Sequence, residues 1–341
     1  MRRLIQNLKI VPKRPRFLMR LLRNYFLILS GKPVLRKGQI GLTYDCNCHC
    51  PHCSSAQMRD AGREILSTEK VKRAIDDFIG LGAVTIMLTG GEPTLREDLE
   101  EIIAHINPDR AISCLLTNGR NLSPSRLSEF RRAGLGQMAI SLDSPDPETH
   151  DRNRRAPGLF NHALRLLQYG QSIGIYAQVS MIVTRENIRN GEALRMVELT
   201  EKMKIDLNLL FASPVGRWTE KEETMLLEGD FQWVKENLLS APHVRWEGYS
   251  SYLRTGCPAG REKIYVTAYG DVTPCDFIQI SFGNIGEEPL ADIWRRMMKV
   301  EEFAKLQDVC ICSLDRDFIR NYIAPLSDFE KKPVRFDRLK F

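Results

Sequence analysis

The chain has 341 residues, 43% of them apolar, with 49 Lys or Arg against 43 Asp or Glu and nine cysteines. This composition supports one large domain with a smaller appendage and excludes a disordered chain. The first apolar stretch, Phe17 to Leu29, is broken by Arg20 and Arg23, which argues against a cleavable signal peptide, and no run of roughly eighteen apolar residues offers a membrane span.

Charge is unevenly placed along the chain. Residues 1 to 44 carry eleven Lys or Arg and no acid, which leaves 38 basic against 43 acidic residues, a balance of −5, for the remainder. Residues 1–37 form the expected N-terminal arm. Within it Arg16, Arg20 and Arg23 share one helical face, while Phe17, Leu18, Leu21, Leu22, Phe26 and Leu27 supply apolar surface. The favoured reading is a helix packed on its own domain with its basic side solvated; peripheral contact with an anionic membrane is the second. Nucleic acid is not expected, because no aromatics alternate with the basic residues.

Residues 38–225 are expected to form the main domain. Short apolar segments (QIGLTY, AVTIMLT, AISCLLT, GQMAISL, YAQVSMIV and DLNLLF) alternate with amphipathic helical stretches such as STEKVKRAIDDFIGLG and REDLEEIIAHI. Repeated βα order of this kind predicts an α/β fold, a partial (β/α)6 TIM-type barrel, with an open doubly wound sheet as the alternative. Barrel chemistry sits on the loops after the carboxyl ends of the strands. There the chain places a cysteine cluster after the first strand, TGGEP after the second, TNG after the third and SLDS after the fourth.

Cys46, Cys50 and Cys53 have the spacing C-x3-C-x2-C, which lets one short loop bind three irons of a cubane and leaves the fourth iron open. Together with Gly90-Gly91-Glu92-Pro93, this spacing resembles the radical S-adenosylmethionine (SAM) superfamily over roughly residues 38 to 212. The resemblance implies a [4Fe-4S] cluster whose open iron chelates the amino and carboxylate groups of SAM. Reductive cleavage then gives methionine and a 5′-deoxyadenosyl radical that takes hydrogen from substrate. Gly90 and Gly91 would allow close backbone approach to SAM, and Glu92 would help satisfy its ammonium. In ISLD, Ser141 is expected to contact SAM; in HDRNRR, Arg154 is expected to pair with the methionine carboxylate, with Arg152 and Arg155 as neighbours that could replace it.

Two features depart from the family pattern. His52 stands before the third cysteine, where Tyr or Phe is usual beside the adenine, and Cys48 is an extra thiol expected to stay unbound. Cys114 reads as core packing, and Asn118-Gly119 as a turn. The competing reading of the triplet is a zinc site or a ferredoxin cluster closed by Cys48.

Residues 226–314 are expected to form a second module. Cys257 and Cys275 flank an expected hairpin that returns its ends to proximity, and Cys310 and Cys312 can complete a four-thiolate site. GDVTPCDF followed by GNIGEEPLADIW resembles the twitch module, the shortened relative of the SPASM domain, which implies one auxiliary [4Fe-4S] cluster; structural zinc is the alternative. The tail, residues 315–341, is left open as a cover for the barrel mouth or a free segment.

The expected function follows from the resemblance. It is radical chemistry on a small-molecule or membrane-associated substrate, with the auxiliary cluster transferring an electron and a low-potential donor such as flavodoxin or ferredoxin reducing the SAM cluster. Only some forty residues precede the first strand, short of the roughly eighty-residue leader-binding domain usual in peptide-modifying relatives. A peptide maturase is therefore one alternative, and a non-enzymatic iron-sulfur or zinc protein the other. The expected location is the cytoplasm, with contact at the inner face of the membrane only on the second reading of the arm.

Overall fold

The computed structural model describes residues 14–219, 221–250, 256–305 and 307–339; residues 1–13 of the arm and the last two of the tail lie outside the described residues. The arm begins there with α1 (Pro15–Leu29), started by a proline whose missing N–H costs a first turn nothing. Then follow β1 (Lys37–Gly41), α2 (Thr68–Gly80), β2 (Thr85–Thr89), α3 (Leu99–Ile106), β3 (Ile112–Thr117), α4 (Pro124–Ala133) and β4 (Gln137–Ser141). After these come α5 (Pro147–Arg154), α6 (Leu159–Ser172), β5 (Tyr176–Val183), α7 (Glu192–Lys202) and β6 (Asp206–Phe211). The caps are those the sequence carries: Ser67, Ser123 and Asp146 each accept a backbone N–H at the start of α2, α4 and α5.

The six strands lie in the order β6-β5-β4-β3-β2-β1, each parallel to the next. A doubly wound sheet reverses its strand order at a switch point. No reversal occurs here, so the sheet is a barrel arc. One side of its pleat, including Ile40, Leu88, Leu115, Ile140, Val179 and Leu207, is fully buried in the main core with the helices. The opposite parity, Gln39, Met87, Cys114, Gln137, Gln178 and Asn208, therefore faces the lumen.

The arc extends at both edges. After α8 (Glu228–Asn237), β7 (Val244–Trp246) adds parallel to β6. On the other edge β8 (Lys263–Val266) adds parallel to β1, and β9 (Val272–Thr273) returns antiparallel to it, forming the expected hairpin. Among the described residues β7 and β9 do not pair, so the sheet of nine strands stays open. The segment then forms β10 (Ile280–Ser281) and α9 (Leu290–Met297), and the tail packs onto it: β11 (Val334–Arg335) pairs with β10, while Phe318, Ile323 and Leu326 are buried.

Helix α1 packs on its own domain as favoured, through buried Phe17 and Asn24. The side it leaves in solvent is not only basic, however. It exposes Met19, Leu22, Phe26 and Leu29 as well.

Candidate functional site

The loop after β1 is held by its neighbours' loops. Gly91 N–H donates to Thr43 O at 2.6 Å and Glu92 N–H to Asp45 O at 2.8 Å, so the GGE segment runs against the chain entering the cysteines. A Cβ on Gly90 would lie 2.2 Å from Thr43 O, and one on Gly91 would lie 2.3 Å from Asp45 O. The close approach that these glycines permit is thus to the protein's own backbone. Glu92 is fully buried, and its carboxylate accepts from Thr94 N (3.1 Å), Thr94 Oγ1 (2.6 Å), Thr117 Oγ1 (2.6 Å) and Asn118 N (2.8 Å). It fastens the second loop to the third with donors of its own chain. Burial nonetheless pushes its carboxyl above the ordinary range.

The loop brings Cys46, Cys48, Cys50 and Cys53 into one patch with Ala156 and Leu159. Cys46 Sγ accepts from Cys48 N at 3.4 Å and from Asn118 Nδ2 at 3.7 Å. Burial pushes the Cys50 thiol up to about 11 and the Cys48 thiol up to about 12. Thiols so placed hold their protons until a metal displaces them. The sulfurs of Cys46, Cys50 and Cys53 on one short loop, with N–H donors aimed at Cys46, fit an iron-sulfur cluster.

Arg154 is buried near Cys50 and Cys48. Its guanidinium forks onto Asp143, with Nε to Oδ2 at 2.7 Å and Nη2 to Oδ1. Burial works against the Asp143 carboxylate, but Arg154 and His52 outweigh it and hold it at about 2. His52 Nε2 lies 3.5 Å from Asp143 Oδ1, and its ring is 5.7 Å from that of Trp218. Burial lowers its pKa. Asp143 N–H donates to His150 Nδ1 at 3.2 Å, which leaves the His150 proton on Nε2, buried without a partner among the described residues. Ser141 ends β4 in register with Ser180, which pairs with Asn208 on β6. Asp143, His150 and Arg217 were not singled out from sequence, and Asn118 was read only as part of a turn. Asp143 stands inside the SLDS motif, Asn118 inside TNG and His150 at the start of HDRNRR, which were the available signals; Arg217 had none.

The second set converges as well. Cys310 and Cys312 sulfurs are 3.7 Å apart, with the Cys257 thiol beside Cys310 and the Cys275 thiol beside Cys312. The thiol of Cys310 holds Cys257 down, and those of Cys275 and Cys310 hold Cys312 down. Lys263, 2% exposed, reaches Cys275 Sγ at 3.6 Å and Asp276 Oδ1 at 2.9 Å. Four thiols beside a buried cation suit an anionic centre.

The loop after β6 touches both sets. Ser213 Oγ lies 3.7 Å from Cys312 Sγ and 2.6 Å from Ser313 Oγ. Four residues on, Arg217 donates from N to Cys53 O at 3.1 Å and from Nη1 to Cys50 O at 2.8 Å. Gly216, at φ +64°, leaves no room for a Cβ, which would lie 2.2 Å from Cys53 O.

A family model described as the radical SAM superfamily matches residues 40–197, and one described as an iron-sulfur cluster-binding domain (SPASM) matches residues 257–318. An Fe-coproporphyrin III synthase of Methanosarcina barkeri is 35% identical over 297 residues, 74% of this chain and 72% of that protein. The chain belongs to the radical SAM superfamily. Other similar members are an AdoMet-dependent heme synthase of the same organism, 29% identical over 78% of this chain and 83% of its own length, and a PqqA peptide cyclase of Rhizobium meliloti, 26% identical over 74% and 72%. The crystal structure of Streptococcus suis SuiB bound to precursor peptide SuiA superposes with a TM-score of 0.64 at 16% identity, over 79% of this chain and 67% of that one. This radical SAM enzyme therefore carries a SAM-binding [4Fe-4S] cluster and a SPASM-type cluster domain. The four cysteines within the SPASM match are enough for one closed cubane.

Proposed function

We propose that this radical SAM enzyme abstracts hydrogen from a small-molecule substrate in the barrel lumen and passes the surplus electron to its auxiliary cluster. In this reading Cys46, Cys50 and Cys53 hold the SAM cluster, and Cys257, Cys275, Cys310 and Cys312 hold the auxiliary one. A cluster with SAM bound would supply the reductive cleavage to methionine and a 5′-deoxyadenosyl radical. His52, Gly90, Gly91, Glu92, Ser141 and Arg154 line or brace that site, with Arg154 held in place by Asp143.

The observation that carries the reading is the loop Ser213–Arg217, which contacts Cys312 at one end and Cys50 and Cys53 at the other. Four residue steps span at most about 14 Å of chain, so one short segment joins the two cysteine sets. A cluster closed by four thiolates has no open iron, which suits it to electron transfer. Four of the residues on the lumen side, Gln39, Gln137, Gln178 and Asn208, carry carboxamides, beside the apolar Met87 and Cys114. Carboxamides of this kind can orient a small polar substrate. Two of the relatives are named for tetrapyrrole products, which favours a non-peptide substrate; the peptide cyclase supports the second reading, a peptide. A low-potential donor such as flavodoxin or ferredoxin would reduce the SAM cluster. Among the described residues no helix is long and apolar enough to cross a membrane.

Anaerobic reconstitution tests this. The protein should take up about eight irons and, with dithionite and SAM, release 5′-deoxyadenosine. Cys50→Ala should abolish that product, and Cys275→Ala should spare it while blocking turnover of the true substrate. A fully loaded protein that makes no 5′-deoxyadenosine would end the reading.

A further inference from the structure

We propose that α1 is a docking surface for an anionic lipid bilayer and seats the enzyme with its barrel mouth turned away from the lipid. Met19, Leu22, Phe26 and Leu29 follow one another at three, four and three residues, which sets them on one stripe of the helix. They are 62%, 50%, 72% and 73% exposed. A folded protein rarely leaves such a row of large apolar side chains in water without an occupant for it.

Charge identifies the occupant. Arg16 and Arg23 are exposed on the flank of the stripe, Lys32 is exposed just beyond the helix, and residues 1 to 44 contain no acid. A second copy of this face would set arginine against arginine. An anionic headgroup layer instead complements the charge while the acyl boundary takes the apolar row, the arrangement of an interfacial amphipathic helix.

The helix is also rigidly placed. Arg14 donates to Pro108 O at 3.2 Å, Arg20 to Ile79 O at 2.7 Å and Ala83 O at 3.0 Å, and Asn24 to Gly82 O at 2.8 Å. Every one of these acceptors lies on the stretches leading into β2 and β3, at the amino ends of the strands. The cysteine loops follow the carboxyl ends. Five residues of β2 separate the two levels by roughly 16 Å. Docked through α1, the enzyme is tethered by its foot, and its mouth stays open to substrate and reductant arriving from solution. This placement holds whichever substrate the lumen takes.

The full chain with its clusters reconstituted is floated with vesicles of phosphatidylcholine alone or mixed with phosphatidylglycerol, beside the Leu22→Glu/Phe26→Glu variant. Both substituted residues are in solvent, so thermal unfolding and 5′-deoxyadenosine formation in solution should match the parent. The expected result is flotation with the anionic vesicles only, weakened by salt and reduced roughly tenfold or more in the variant. SAM cleavage on vesicle-bound enzyme should equal that in solution. Equal binding by the variant, or no binding to anionic vesicles, would overturn the proposal. A dimer in sedimentation that the variant disrupts, without flotation, would make a second copy the occupant and overturn it too. Cleavage suppressed on vesicles would place the mouth against the lipid and overturn the orientation.

Discussion

Gln39 stands on β1 facing the lumen, 1% exposed, and neither atom of its amide has a hydrogen-bond partner among the described residues. An unmet buried amide costs about 1–3 kcal/mol, and a substrate in the lumen, on the function proposed above, would offset that cost. Gln39→Leu should therefore raise stability by about 1 kcal/mol, read as a higher urea midpoint, and lower substrate turnover while SAM cleavage persists. A lower midpoint would show that the amide is satisfied in the folded enzyme. Nothing in the sequence distinguishes this glutamine from any other, since its neighbours in space, Met87 and Tyr265, are 48 and 226 positions away. The cysteines differ, because thiolate chemistry announces itself by spacing alone. Arg154 lies between these cases: its motif was legible, but its fork onto Asp143 depends on where α5 returns the chain.

The loops around the cysteines work as one clamp. GGE runs against Thr43–Asp45, Asn118 reaches Cys46, Arg217 grips the carbonyls of Cys50 and Cys53, and Gln279 donates to Ser54 O at 2.8 Å. Gly91 admits no side chain there, because a Cβ would meet backbone atoms that have nowhere to yield. Gly91→Ala should displace the cysteine loop and lower iron content from about eight to about four per chain, with the auxiliary cluster's absorption retained. Full iron content in that variant would show that the loop adapts. The sequence marked this segment as special, yet its resemblance to a SAM-binding motif pointed to the ligand alone. That the glycines also serve the chain's own backbone is visible only once β1 and β2 lie side by side.

At the scale of the whole molecule, an ion pair network spans the opening of the barrel. Glu247, just after β7 at one edge of the sheet, accepts from Lys37 on β1 at 2.9 Å and from Lys263 on β8 at 2.8 Å. Side-chain exposures of 20%, 14% and 3% put this network largely out of water, where losing Glu247 takes from Lys37 its carboxylate partner, while Lys263 keeps Asp276. Glu247→Gln should destabilise the enzyme by about 3 kcal/mol, measured by chemical denaturation; an unchanged midpoint would mean that the strand ladder alone holds the opening. By itself the sequence determined the six βα units, the order of loops at the mouth and the seven cysteines in two sets, since periodicity, turn residues and ligand spacing are local properties. The tertiary structure alone decided that β8 joins the barrel beside β1, that Ser213–Arg217 links the two cysteine sets, and that α1 turns an apolar row outward at the foot. Each of these is a pairing between remote segments, selected by packing and charge in three dimensions, and leaves no periodic trace along the chain.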